Sequence, residues 1–379
     1  MKIVITGGHL SPALSLIDLI NGSPRGEAGR HDVLFIGRKY GFEGDSALSL
    51  EYKLLQKLGV NFASVAAGRF QRSFTRYTIP SLFKIPIGFY QSFKILRAFA
   101  PDVFVGFGGY VSFAPALASF ILRIPIVIHE QTLEAGTTNR IVSHIAEKIC
   151  ISFENSRQFF PKGKTILTGN PIRAQIIKPQ SNLELPYENI PLIYFTGGSL
   201  GSIFINELIE KTLKDLLSKY RIIHQAGSFN NNKSLQKLRK IKKNLNNQFR
   251  KRYLVTDHFS ADDVGKILRE ATLVVGRSGI NTITELLFLN KPALLIPLST
   301  GQHDEQRKNA QFLKEAGLAE VLNENAATPT DFVKVASHMI DGIDSYKANE
   351  NKEYLKENAS ENILRVVENA AKKTDEKTS

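Results

Sequence analysis

At 379 residues the chain is longer than one hydrophobic core usually supports, so two domains are expected. Its 42% hydrophobic and 22% charged residues fit a globular protein, and 49 Lys+Arg against 36 Asp+Glu give a net +13 that favours an anionic partner: phosphate groups, acidic lipid or nucleic acid. The single cysteine, Cys150, lies in an apolar run; that excludes a disulfide framework and a thiolate metal cluster and reads as a small buried hydrophobe.

No run of 18 apolar residues is present to span a membrane, and the chain enters a strand at Lys2 without a signal peptide, which reads as cytoplasmic. Lys2 to Ile5 is a buried strand, followed by the turn Thr6-Gly7-Gly8-His9 and a helix from Ser11-Pro12 to Ile20, with proline at an early position. Strands at Val33–Ile36, Val103–Gly106, Ile126–Ile128 and Lys148–Ile151 alternate with helices at Ala47–Leu58, Phe113–Leu122 and Thr137–Ala146. That alternation is the βαβ pattern of a parallel sheet. Pro171, Pro179, Pro186 and Pro191 then punctuate a polar stretch that reads as a linker. A second βα series begins at Leu192–Phe195 with the turn Thr196-Gly197-Gly198-Ser199-Leu200-Gly201 and continues through Ile222–Gly227 and Tyr253–Val255. The expected division is 1–170, a linker at 171–190, a second domain at 191–344 and a long helix at 345–373 that docks back on the first domain. The final eight residues are expected to be unordered.

The stretch from Val274 to Ala310 organises the second series. A β-branched strand ends at Arg277-Ser278-Gly279, and Ile280 to Leu289 has helical apolar spacing. A strand, a tight turn and a helix N-terminus aim backbone N–H groups at an anion. Glu285 lies too far into that helix for a capping box, whose acid sits at the third position, and suits the two vicinal hydroxyls of a ribose. Gly301 to Gln306 is dense in hydrogen-bonding groups. Together the loops form a candidate nucleotide-sugar pocket.

Two basic stretches remain. Lys233 to Arg252 keeps Leu235, Leu238, Ile241 and Leu245 at helical spacing and nearly lacks aromatics, so it reads as a solvated helix face rather than a nucleic-acid site. Gly68 to Arg97 mixes aromatic and basic residues with no acid, and Pro80 and Pro86 bracket Leu82 and Phe83. With Lys84 and its basic neighbours these residues suit an anionic bilayer interface.

The ordered pieces TGGH, GFGGYVS, HEQ…AGTTN, GNPIR, GGSLG, HQAG, RSGINTITE and DEQRKNA span about 300 residues and resemble the MurG family of undecaprenyl-diphosphomuramoylpentapeptide β-N-acetylglucosaminyltransferases. The resemblance implies an α/β GT-B fold of two facing Rossmann-like domains with a cleft between them. It also implies inverting transfer from UDP-N-acetylglucosamine to the C4 hydroxyl of an undecaprenyl-linked acceptor, lipid I, in peptidoglycan synthesis. The enzyme would sit peripherally on the cytoplasmic face of the cell membrane, without nucleic acid and without a protein-bound metal cofactor. No DxD-like acidic pair follows a strand.

By the same resemblance His9 is the general base. A histidine near pKa 6.5 at a glycine-rich cleft suits proton removal from a sugar hydroxyl. Thr6, Gly7 and Gly8 lie near the diphosphate, Arg173 and Ser199 on the phosphates, and Phe259 packs on uracil through its backbone and ring. Ile280, Asn281, Thr282, Ile283 and Thr284 supply the helix N-terminus, Glu285 the ribose contact and Gln306 the sugar hydroxyls. Thr132 and Asn139 complete the donor side, with Gly108, Gly109 and Tyr110 on the acceptor side. The chain departs from the family pattern in four places. Its first glycine loop is shorter, Thr132 replaces an asparagine that contacts the sugar, Leu200 replaces a glutamine and Phe113 a glycine. These positions bear on sugar and acceptor specificity more than on nucleotide binding. A transferase with another UDP-sugar or lipid acceptor, a UDP-sugar epimerase and a non-catalytic nucleotide-sugar-binding paralogue remain alternatives.

Overall fold

The computed structural model describes residues 1–22, 31–40, 48–67, 78–186, 188–198, 200–228, 232–299, 304–349 and 358–378, with the side chains of 50, 78–84 and 373–378 excepted. It divides into two units, Met1–Arg173 with Lys356–Ser379, and Ala174–Leu355.

The first unit runs β1 (Lys2–Thr6), α1 (Leu10–Gly22), β2 (Asp32–Gly37), α2 (Leu50–Lys57), β3 (Asn61–Ser64), α3 (Thr78–Phe99), β4 (Val103–Gly106), α4 (Phe113–Ile121), β5 (Ile126–Glu130), α5 (Thr137–Val142), β6 (Lys148–Ile151) and β7 (Thr165–Leu167). Its seven strands are all parallel, in the order β3-β2-β1-β4-β5-β6-β7. The second unit follows with α6 (Ala174–Ile177), β8 (Leu192–Thr196), α7 (Ile203–Lys219), β9 (Arg221–Gln225), α8 (Lys233–Lys243), α9 (Asn247–Arg252), β10 (Tyr253–Thr256), α10 (Ala261–Glu270), β11 (Leu273–Gly276), α11 (Ile280–Phe288), β12 (Ala293–Leu295), α12 (Glu305–Glu315), β13 (Ala319–Val321) and α13 (Pro329–Asp341). Its parallel sheet has the order β10-β9-β8-β11-β12-β13. The last helix, α14 (Ala359–Thr378), belongs to the first unit.

Alternation along each strand sends successive side chains to opposite faces, and in a parallel sheet both faces are covered. Ile3, Ile5, Val103 and Val105 therefore join Leu16 and Ile17 of α1 and Ile363 and Val367 of α14 in one core layer. Val4, Phe104 and Ile128 join Ala116 and Ala118 of α4 in the other. Cys150 is fully buried in the first layer, and burial pushes its thiol up to about 12. In the second unit Ile193, Phe195, Val275 and Leu294 pack with Leu213 and Leu216 of α7 and Phe332 of α13.

Several expectations change. The helix foreseen over 345–373 begins at Ala359, and its backbone continues to Thr378 through the tail expected to be unordered. Of the apolar stripe Leu355, Ile363, Leu364 and Val367 in that stretch, the last three pack on the first unit's core and Leu355 lies outside the described residues. The proline-rich segment is no loose tether. It holds helix α6, where Arg269 donates to the Ile176 carbonyl oxygen at 3.0 Å, while Lys266 bonds the Leu183 carbonyl oxygen at 2.9 Å and the Gln180 N–H bonds Asp262 at 2.9 Å. Half-buried and exposed side chains on α10 hold a segment that its own composition leaves irregular. Helix α3 starts at Thr78 and runs through Pro86, so Leu82, Phe83 and Lys84 of the aromatic and basic stretch lie on a helical backbone. Among the described residues no helix is long and apolar enough to cross a membrane.

Candidate functional site

In open α/β sheets the crevice for a ligand lies beyond the carboxyl ends of the strands, where the strand order reverses. The reversal falls between β1 and β4 in the first unit and between β8 and β11 in the second.

In the first unit the Thr6–His9 turn is locked to the β4 loop. The Phe107 N–H donates to the Thr6 carbonyl oxygen at 2.7 Å and the Gly8 N–H to the Gly108 carbonyl oxygen at 2.8 Å. Thr6 Oγ1 and the Gly108 carbonyl oxygen both meet Ser112 Oγ, at 3.2 and 2.6 Å. The backbones at Gly8 and Gly109 nearly touch. A Cβ on Gly109, whose φ is 76°, would lie 2.7 Å from Gly8 Cα, so neither position admits a side chain. Tyr110 follows with the Arg38 guanidinium over its ring at 5.2 Å. His9 sits partly exposed at the rim, with its ring edge and the Asn139 amide within about 3.5 Å of where a side chain on Gly108 would begin.

Behind this rim is a buried polar cluster that the motifs did not foretell. Glu130, 1% exposed, accepts from the Thr132 N–H, the Gly136 N–H and Asn139 Nδ2 at 3.0, 3.0 and 2.9 Å. Both amide hydrogens of Asn139 are engaged, the second on the His129 carbonyl oxygen at 3.0 Å. The Thr132 hydroxyl lies 2.5 Å from both Glu130 Oε1 and the Glu134 carbonyl oxygen. The Thr132 hydroxyl and the Asn139 amide hydrogens are thus engaged within the loop and help to shape it. His129 is held down to about 4 by burial first and by the neighbouring charge of His9 last, partly offset by its bond to the Gly169 carbonyl oxygen. It is neutral at neutral pH.

In the second unit the Gly turn after β8 locks against the β9 loop. With φ of 85° at Gly201 and 77° at Gly227, a Cβ on either would overlap the other's loop at 2.1 to 2.3 Å. The Gln225 amide ties Gly198 O and the Phe259 N–H, at 3.1 and 3.2 Å. Phe259 is therefore buried with its N–H engaged and its ring edge-on to Tyr194, which leaves no free backbone donor there for a base. His224, buried between Asn206 and Tyr253, is lowered to about 3 by burial.

The crevice beside β8 and β11 stays lined by helix N-termini. Helix α7 is capped by Ser202, whereas α11 starts at Gly279 with no side-chain cap, so its first N–H groups have no partner within the helix. Ile280 and Ile283 face the core; the Ile283 N–H donates to the Gly279 carbonyl oxygen at 3.0 Å, so of the two only Ile280 can meet a ligand by its N–H, while Asn281 and Thr282 are part-exposed. Thr284 donates to the Ile280 carbonyl oxygen at 2.8 Å, and Glu285 is 6% exposed. Three loops are cross-tied here by Arg277, which bonds Ser202 Oγ at 2.8 Å, the Ile296 carbonyl oxygen at 3.0 Å and Glu324 Oε1 at 2.6 Å. Burial alone would raise the Glu324 carboxyl, yet the Arg277 bond and the Ser299 N–H hold it below the usual range. Gln306 is built into the same frame: its Oε1 accepts the Leu298 N–H and its carbonyl oxygen the Ser278 hydroxyl, at 3.0 and 2.7 Å. Leu200 is 67% exposed at the mouth. Arg173 is the part-exposed last residue before the division. Ser199, Gly301, Gln302 and His303 lie outside the described residues, as do the side chains of Leu82, Phe83 and Lys84. Arg277 and Glu130 stood inside quoted motifs without a role; Glu324 carried no signal at all.

Comparison with known proteins fits this pair of units. Residues 4–151 match the glycosyltransferase family 28 N-terminal domain and residues 192–367 its C-terminal domain. The chain is 30% identical over 378 residues, 97% of this chain and 99% of the relative, to "UDP-N-acetylglucosamine--N-acetylmuramyl-(pentapeptide) pyrophosphoryl-undecaprenol N-acetylglucosamine transferase 2" of Bacillus cereus (strain ATCC 10987 / NRS 248). The crystal structure of Acinetobacter baumannii MurG superposes with a TM-score of 0.69 at 23% identity, covering 97% of this chain and 99% of that one. The UDP-GlcNAc 2-epimerase of Neisseria meningitidis, bound to UDP-GlcNAc, reaches 0.68 at 16% identity over 97% and 100%. Architecture alone thus admits more than one chemistry, and the GT-B fold is common to them. The full-length kinship in sequence is what discriminates: this chain belongs to glycosyltransferase family 28 and, within it, to the MurG family.

Proposed function

We propose that this glycosyltransferase moves N-acetylglucosamine from UDP-N-acetylglucosamine to a hydroxyl, C4 by the family resemblance, of muramoyl-pentapeptide-diphosphoundecaprenol. The observation that carries the donor half is the second unit's reversal point. An α-helix with no side-chain cap opens on a strand end, with a buried carboxylate one and a half turns in. Uncapped N–H groups and the helix dipole suit the diphosphate, and Glu285 suits the ribose diol. Arg277 is engaged by Glu324 and serves to hold the loops, so the charge offered to phosphate falls to Arg173 and the helix. No metal held by the protein enters this reading.

On the acceptor side His9 takes the proton of the attacking hydroxyl. The new bond forms from that oxygen to C1 of the sugar as the C1–O bond to diphosphate breaks, with inversion, and UDP leaves. The undecaprenyl chain of the acceptor asks for a peripheral position on the cytoplasmic face of the membrane. Exposed apolar residues of the first unit support it: Ile87 and Tyr90 on α3 and Phe120 and Ile121 on α4, with Lys94 4.6 Å from the Tyr90 ring centre.

The test is radiolabel transfer from UDP-N-acetylglucosamine to a soluble lipid I analogue, with UDP-glucose in parallel. Transfer from the first donor in clear preference is expected. Preference for UDP-glucose, or turnover of the UDP-sugar without acceptor, would overturn the assignment.

A further inference from the structure

Between Leu216 and Thr256 the sequence has eleven Lys and Arg and no Asp or Glu. Folding concentrates them. Helix α8 buries Leu235 and Leu238, and helical spacing then places Lys233, Lys237, Lys240 and Lys243 on the opposite, exposed face. Helix α9, which follows directly, adds exposed Arg250 and Lys251. Among the described residues Lys237 with Glu210, at 2.7 Å, is the ion pair on this face. The Arg250 guanidinium bonds the Lys243 and Leu245 carbonyl oxygens, at 3.3 and 3.0 Å, so it fixes the α8–α9 corner without being neutralised. Half-buried Lys242 is held below the usual lysine range by burial first and then by the charge of Arg250.

We propose that this basic face of α8 and α9 docks the second unit on an anionic lipid bilayer, as a contact separate from the aromatic and basic stretch of the first unit. The inference rests on the reading that the acceptor is lipid-linked, because that reading places the protein at a membrane. Charge complementarity selects the occupant. A plane of lipid phosphates needs only spread positive charge, and each cation near it strengthens binding about fivefold. A nucleic acid strand needs stacking platforms as well. The one aromatic of residues 233–252, Phe249, is packed against the core. No large apolar side chain is exposed on this face among the described residues, so the contact is electrostatic and is screened by salt.

The experiment is co-sedimentation of the full chain with vesicles of equimolar phosphatidylcholine and phosphatidylglycerol, and with pure phosphatidylcholine, at low and high salt. The Lys240→Glu/Lys243→Glu/Lys251→Glu variant is expected to lose at least about tenfold in partitioning to the anionic vesicles. Its UDP affinity and its transfer to a soluble acceptor should stay unchanged, and the corresponding triple Gln variant should fall between. The Gln variant decides the matter if the Glu variant does not fold. A folded variant that partitions like the parent overturns the proposal, and so does parent binding to a uridylate oligonucleotide in preference to the anionic vesicles. Loss of vesicle binding in a protein that shows no transfer at all would support the surface while refuting the assigned reaction.

Discussion

The two units begin alike and diverge at one contact. Each opens with a buried strand and a Gly-Gly turn, and in each the turn is pressed against a second glycine loop so closely that side chains are excluded. In the first unit that second loop follows β4, across the reversal point, and backbone hydrogen bonds close the crevice into a wall with His9 at its rim. In the second unit the loop follows β9, on the far side of β8 from β11, and the crevice keeps the N-termini of α7 and α11 along it. A sequence signature shared by both halves thus closes the crevice in one and leaves helix N-termini along it in the other, and the partner strand decides which.

Removing the group at the rim should have the largest effect. His9→Ala is expected to lower turnover by ~10²–10⁴ while leaving UDP affinity intact, because the donor frame lies in the other unit. Steady-state kinetics beside calorimetric UDP titration checks it, and a rate within a few-fold of the parent contradicts the role. Next, the glycine contact of the second unit can be broken. Gly227→Ala meets both a positive φ and fixed backbone of Gly201 at 2.2 Å, so a loss of about 3 kcal/mol in stability is expected. Gly198→Ala has the positive φ but open space around it and should cost only about 1–2 kcal/mol. Urea unfolding of the two variants measures the difference; equal losses would mean that the close approach is not a constraint.

Glu285→Ala sharpens the donor half. Loss of a charge-assisted pair of about 1.5–3 kcal/mol predicts roughly ten- to 150-fold weaker UDP binding. An unchanged dissociation constant would remove Glu285 from the ribose.

Acid separates the units by the smallest margin. His224 and His129 have folded pKa values below the unfolded 6.5, so each contributes stability that is present above pH 6.5 and is lost as pH falls toward about 3 and about 4. At pH 5 the loss is about 2 kcal/mol for each. Glu51, beside the Arg38 N–H in the first unit, is raised from 4.5 to about 7 by burial, and its contribution runs the other way, lost as pH rises through 7. Gains from Glu51 therefore offset the loss from His129, and the second unit should be the more acid-sensitive. Hydrogen exchange at pH 7.5 and 5, corrected for intrinsic rates, reads protection unit by unit. Greater loss in the first unit would refute this balance.

Much of this molecule was legible in the chain. The central strands β1, β4, β5, β8 and β11 are continuous apolar runs because both faces of a parallel sheet are buried, and such runs announce themselves. Glycine turns and the RSG helix start are equally local, so the two βα series, the family and the uncapped helix could be read from residues alone. The strands β3, β7 and β13 could not. They are three or four residues long, lie at sheet edges and are only partly buried, so their composition matches that of loops. Helix α6 was missed because the donor that holds its Ile176 carbonyl oxygen is Arg269, 93 residues away in sequence. The same holds for the site. Arg277 looked like a turn residue until Glu324, 47 positions on, fixed its guanidinium. Apolar periodicity and turn chemistry are properties of neighbouring residues, which sequence alone determines. Which buried carboxylate meets which donor depends on strand order, and only the tertiary structure decides that.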